Sequence, residues 1–109
     1  MLYTISGEVI KGDGYGKKLG FPTVNLHSQT KKIVPEGVYA GIAVLDGIEY
    51  RAGIVIGPGK KIEAHLLGYN RDAYGKQATL KIKKFIRKYK KFKTEKELIR
   101  QIEKDLKKC

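Results

Sequence analysis

A mostly β fold, an antiparallel barrel or sandwich with one C-terminal helix, is what this sequence predicts. Three observations carry the prediction. Short apolar stretches recur along residues 2–83, each bounded by turn residues, and several alternate with period two. Asp46-Gly47 stands between two of them, a strong signal for a two-residue hairpin. Near residue 94 the pattern changes to that of a capped amphipathic helix.

Leu2 to Lys11 reads as the first strand, with Gly7 as a bulge candidate, and Phe21 to Leu26 as the second. His27 to Pro35 is polar and basic and reads as a connection. Val38, Ala40, Ile42 and Val44 share one face of the third strand, and Ile48 to Ile56 pairs back as the fourth. Gly57-Pro-Gly59 is a turn. On the fifth strand Ile62, Ala64 and Leu66 share one face, while Glu63, His65 and Leu67 share the other. After a polar loop from Gly68 to Gly75, Ala78, Leu80 and Ile82 alternate with Thr79, Lys81 and Lys83, a half-buried sixth strand. Thr94 suits an N-cap, and Glu97 three residues on completes a capping box. Leu98, Ile99, Ile102 and Leu106 form the apolar stripe expected to lie on the strands, with Glu103 and Lys107 on the outer face.

With 109 residues and no linker or internal repeat, a single domain over 1–109 is expected. One cysteine, Cys109, excludes a disulfide framework or a cysteine-based metal site. The N-terminus lacks the basic-then-apolar pattern of a signal peptide, and no apolar run approaches the roughly 20 residues of a membrane span. A cytoplasmic location is therefore expected. The net charge of +12 is lopsided. Residues 76–109 hold 14 Lys and Arg against four Asp and Glu. Such a tract suits nucleic acid, an anionic surface or a solvated face.

The chemistry concentrates in Gly12-Asp-Gly-Tyr-Gly-Lys-Lys-Leu-Gly-Phe-Pro-Thr-Val-Asn25. Glycines at 12, 14, 16 and 20 let the backbone bring its N–H groups close to a ligand. With Lys17 and Lys18 the loop suits an anion rich in oxygens, such as a phosphate chain. Thr23 and Asn25 face the same way on an extended segment. Their neutral oxygens suit a hard cation whose charge is balanced by nucleotide phosphates. No Gly-Lys is followed by Ser or Thr, so this is not a Walker A loop, and no long helix follows, so it is not a Rossmann fingerprint. Glu63 is the one carboxylate on an otherwise apolar strand, His65 apart. A carboxylate there can orient an alcohol and accept its proton, or simply face solvent.

Gly14-Tyr-Gly-Lys-Lys-Leu-Gly-Phe-Pro-Thr-Val-Asn-Leu26 resembles the glycine-rich and Pro-Thr-Ala-Asn motif of the riboflavin kinases (flavokinases). Further matches are Pro35-Glu-Gly-Val-Tyr39, Glu63-Ala-His-Leu-Leu67, Asp72-Ala-Tyr-Gly75, Ile86-Arg87, Lys91-Phe92 and the final helix, so the resemblance covers essentially the whole chain. It implies a six-stranded Greek-key barrel with a C-terminal helix. It also implies transfer of a phosphoryl group from a nucleotide triphosphate, ATP foremost, to the ribityl 5′-hydroxyl of riboflavin, giving FMN. Glu63 falls at the family's proposed base. Thr23 and Asn25 fall at its Mg²⁺-nucleotide positions, and Gly12, Gly14, Gly16 and Lys17 cover the phosphates. Tyr74 and Arg87 belong to segments near the flavin, and a monomer is expected.

The sequence also departs from the family. Lys17 stands where arginine is favoured, which loses the bidentate fork. Residues 54–61 are shorter than usual and lack an Asn and a Pro-Thr pair, and Gly68 replaces an Asp. The family's frequent companion, an adenylyltransferase domain that makes FAD, is expected to be absent, because the chain begins at the first kinase strand. Two rivals stand beside the kinase: a basic β-barrel binding single-stranded nucleic acid through Lys81 to Lys93 with Phe85, Tyr89 and Phe92 as stacking rings, and an inactive flavin-binding relative.

Overall fold

The computed structural model describes residues 3–10, 23–28, 34–69, 73–91 and 93–108. Six strands close into an antiparallel barrel: β1 (Tyr3–Ile10), β2 (Val24–Ser28), β3 (Gly37–Leu45), β4 (Ile48–Gly57), β5 (Lys61–Leu66) and β6 (Gln77–Arg87), followed by helix α1 (Glu95–Lys107). Around the barrel the order is β1-β2-β5-β4-β3-β6. The connections β2–β3 and β5–β6 cross over, as the expected Greek key requires, and β3-β4-β5 is a meander. No described helix is long and apolar enough to cross a membrane.

Strand parity builds the core. Ile5 and Val9 of β1, Leu26 of β2, Tyr39, Ala43 and Leu45 of β3, Ala52, Ile54 and Ile56 of β4, Ile62, Ala64 and Leu66 of β5 and Ala78, Leu80 and Ile82 of β6 all point inward and are buried together. The expected faces of β5 and β6 are therefore present. On β3 the shared face of Val38, Ala40, Ile42 and Val44 is also real, but it is the outer one. Tyr39, Ala43 and Leu45 fill the barrel. Val38 and Ala40 are nonetheless only 3% and 8% exposed, so part of the barrel's outside is covered.

The hairpin at 45–48 forms as the dipeptide demands, with Asp46 at φ 53° and Gly47 at φ 75°, the paired positive values of a type I′ turn. Gly41 is required by close approach. A Cβ there would stand 2.2 Å from the Lys81 carbonyl oxygen and 3.1 Å from Ile54 Cδ1, where β3 and β6 shift register. Backbone cannot yield as a side chain can. Gly41→Ala is expected to destabilise the fold by about 1–3 kcal/mol, read as a lower urea midpoint.

Tyr39 anchors the lower core. Its hydroxyl donates to the Pro35 carbonyl at 2.7 Å, and its ring meets Tyr3 and Phe85 edge-on at 6.5 and 5.4 Å. Burial, with the Tyr3 phenol beside it, pushes the Tyr39 phenol above its ordinary 10.0. Above that pH the unfolded chain releases the proton first, so stability falls as pH rises toward the folded-state value and is unaffected below. Tyr39→Phe is expected to flatten this alkaline slope in thermal melts across a pH series.

Candidate functional site

Two strands distant in sequence bring the polar candidates together. β2 lies between β1 and β5, with Asn25 directly opposite Ile10 on one side and Glu63 on the other. Directly opposed residues of an antiparallel pair project to the same face with Cβ atoms about 5 Å apart. Leu26 and Ile62 point inward, so Asn25 and Glu63 point outward as neighbours. Thr23 precedes β2 by one residue and, two before Asn25, belongs to the same side. Thr23, Asn25 and Glu63 are all half-buried. The apolar-in, polar-out alternation of both strands thus places two neutral oxygens beside one carboxylate.

Glu63 has a partner that the sequence reading did not name. Lys61 Nζ lies 3.1 Å from Glu63 Oε1, the two side chains being 49% and 28% exposed. Period two along β5 could have found it, since residues 61, 63 and 65 share a face. On the next strand Val55 stands opposite Glu63 and Gly53 opposite His65. Beside the carboxylate the wall is therefore apolar, and beside the imidazole it carries no side chain.

Gly12, Gly14, Gly16 and Lys17 lie outside the described residues. Their strand-end neighbours do not: Ile10 closes β1, and Thr23 stands just before β2. The same barrel end carries the hairpin at 45–48 and the 66–77 connection, where Gly75 donates to the Val9 carbonyl at 2.9 Å and Lys76 pairs with Asp46. Exposed Tyr74 sits in this turn.

Arg87 is elsewhere. It ends β6 at the opposite end of the barrel, so the 11 residues of that strand lie between it and the turn that holds Tyr74. The structure does not bring the two flavin candidates together. The Arg87 guanidinium grips the Asp105 carboxylate of α1, Nε at 3.0 and 3.1 Å and Nη2 at 2.8 Å. Gln101 Nε2 donates to the same carboxylate at 2.9 Å, and Asp105 is only 7% exposed. Asp105 was not among the sequence candidates. Its signal was its place three residues after Ile102, a polar residue on the flank of the apolar stripe.

The Phe85 ring packs on Tyr39, and the Tyr89 ring stands 3.4 Å from where a Cβ on Gly57 would lie. Phe85 is nonetheless 45% exposed and Tyr89 half-buried, and Phe92 lies outside the described residues. The described residues contain no group of three His, Cys, Asp or Glu able to hold a metal by themselves.

A bifunctional riboflavin kinase/FMN adenylyltransferase of Bacillus subtilis is 39% identical over 114 residues, covering 94% of this chain and 36% of the relative. The Escherichia coli protein of the same description is 32% identical, with the same coverage. The chain thus spans little more than a third of the length of these curated relatives. Among solved structures, riboflavin kinase from Trypanosoma brucei superimposes with a TM-score of 0.73 at 22% identity, over 95% of this chain and 74% of that one, a likeness of fold. The flavokinase model, described as riboflavin kinase, matches residues 1–109, and the chain belongs to the riboflavin kinase family.

Proposed function

We propose that this chain transfers the γ-phosphoryl group of ATP to the ribityl 5′-hydroxyl of riboflavin, giving FMN and ADP. The observation that carries the reading is the rung that sets Asn25 of β2 opposite Glu63 of β5. In the transfer a bond forms between the ribityl oxygen and the γ-phosphorus, and the bond from that phosphorus to the β–γ bridging oxygen breaks. The hydroxyl proton passes to Glu63, a carboxylate held on a fixed strand. Lys61 steadies that carboxylate before the transfer.

Thr23 and Asn25 fit Mg²⁺ brought in by the nucleotide, because a hydroxyl and an amide oxygen are hard, neutral ligands that leave the balancing charge to the phosphates. When bound, Mg²⁺ neutralises charge developing on the β- and γ-phosphates. Gly12, Gly14, Gly16 and Lys17 are proposed to cover those phosphates from the end of the barrel where β1 stops and β2 starts. An in-line transfer then brings the acceptor to Glu63 from the other side, toward the end that holds α1. On this reading Arg87 serves the flavin by fixing α1. Tyr74 is proposed as an aromatic wall from the opposite end. We place the protein in the cytoplasm as a monomer.

The test is incubation with riboflavin, ATP and Mg²⁺, followed by chromatographic separation of the flavins. An FMN peak that needs both nucleotide and metal is the expected result. Riboflavin left unchanged with every nucleotide triphosphate tried would overturn it.

A further inference from the structure

We propose that His65 is a further catalytic residue of this transfer, donating a hydrogen bond to an oxygen of the migrating phosphoryl group. This rests on the reading of Asn25 and Glu63 given above. On β5 the inward residues are Ile62, Ala64 and Leu66, so His65 shares the outer face with Glu63, about 7 Å further along the strand. The register supplies its neighbour. Val24 is opposite Ala64, and one step further on each chain brings Thr23 beside His65. Thr23 itself lies just outside β2, so this juxtaposition continues the register one residue past its last rung, Val24–Ala64, on the face that Asn25 and Glu63 share. Four polar residues form a two-by-two block, the nucleotide pair on β2 and the base with the imidazole on β5.

The direction along β5 separates the roles of its polar residues. Lys61 precedes Glu63 on the side of the 57–61 turn, toward α1. His65 follows Glu63 on the side where β1 ends and β2 begins, the side proposed for the phosphates. The β4 residue directly opposite His65 is Gly53, and His65 is half-buried. An imidazole has an N–H to donate in either protonation state. The migrating phosphoryl group spreads charge over three equatorial oxygens. A donor fixed in advance on developing charge contributes about 10²–10³ in rate at well-studied acyl-transfer sites.

The experiment compares the full chain with His65→Ala and His65→Gln, varying ATP and riboflavin separately and recording a thermal melt of each protein. His65→Ala is expected to lower kcat by about 10²–10³-fold, the loss of one such donor, with the riboflavin KM and the melting temperature unchanged. His65→Gln, which keeps an N–H donor, is expected to recover part of that loss. Wild-type kcat and ATP KM in His65→Ala would overturn the proposal. So would losses in both variants that follow a lowered melting temperature, which would make His65 structural. A wild-type protein that makes no FMN would instead overturn the kinase reading beneath it.

Discussion

Glu63→Gln is expected to lower FMN formation by about 10²–10⁴-fold, the contribution of a positioned general base. The change is nearly isosteric. The glutamine amide oxygen can still accept from Lys61, 3.1 Å away in the native pair, but it cannot take up the hydroxyl proton. Glu63 is partly exposed, and exposed ion pairs contribute about 0–1 kcal/mol, so the melting temperature should hardly move. Riboflavin binding, followed by quenching of flavin fluorescence, should persist. Loss of turnover with binding and folding intact separates a base from a structural carboxylate. If Glu63→Gln turns over like the wild type, the proton goes elsewhere. If neither protein turns over but both bind riboflavin, the chain is an inactive relative.

The features legible in the sequence were those written in adjacent residues. Asp46-Gly47 carries its turn in two side chains, and the Thr94 hydroxyl accepts from the Glu97 amide at 3.2 Å, as the cap pattern predicts. Parity separated the two faces of β5 because only one of them is uniformly apolar. What depended on a partner strand was harder to see. β2 was expected over Phe21 to Leu26; Phe21 and Pro22 lie outside the described residues, and the strand runs over Val24–Ser28, two residues past the expected end, where the last rung is supplied by Gly7 of β1. β6 continues past Lys83 to Arg87 because β3 pairs with it through Val38, despite the lysines that made the stretch read as surface. On β3 both faces are apolar, so parity could not tell inside from outside. Asn25 and Glu63 are 38 positions apart, and no periodicity joins them. Their association came from the family motifs, and the barrel supplies its physical cause. Arg87 and Asp105 belong to a strand and a helix whose docking is a matter of tertiary structure alone.

Asp105→Ala is expected to destabilise the protein by about 3 kcal/mol, because it leaves the Arg87 guanidinium in a half-buried position without its carboxylate. For a domain of this length that is a fall of roughly 15 °C in melting temperature. The size follows from geometry. Three guanidinium–carboxylate contacts and the Gln101 amide converge on a side chain that is 10% exposed, quite unlike the open Lys81–Glu49 pair at 3.5 Å. Replacing both partners by apolar residues, Arg87→Met with Asp105→Leu, is expected to restore much of the loss, since it removes the orphaned charge rather than the packing. A double-mutant cycle measures the coupling directly. If Asp105→Ala melts like the wild type, α1 is held by Ile99, Ile102 and Leu106 alone, and the clamp adds nothing. The functional consequence separates the two ends of the site. Val38 is opposite Arg87, Val55 opposite Val38, and Glu63 opposite Val55, so the clamp and the carboxylate lie on one row of the barrel wall. Loosening α1 should therefore raise the riboflavin KM while leaving the ATP KM in place. Equal effects on both would place the helix outside the acceptor side.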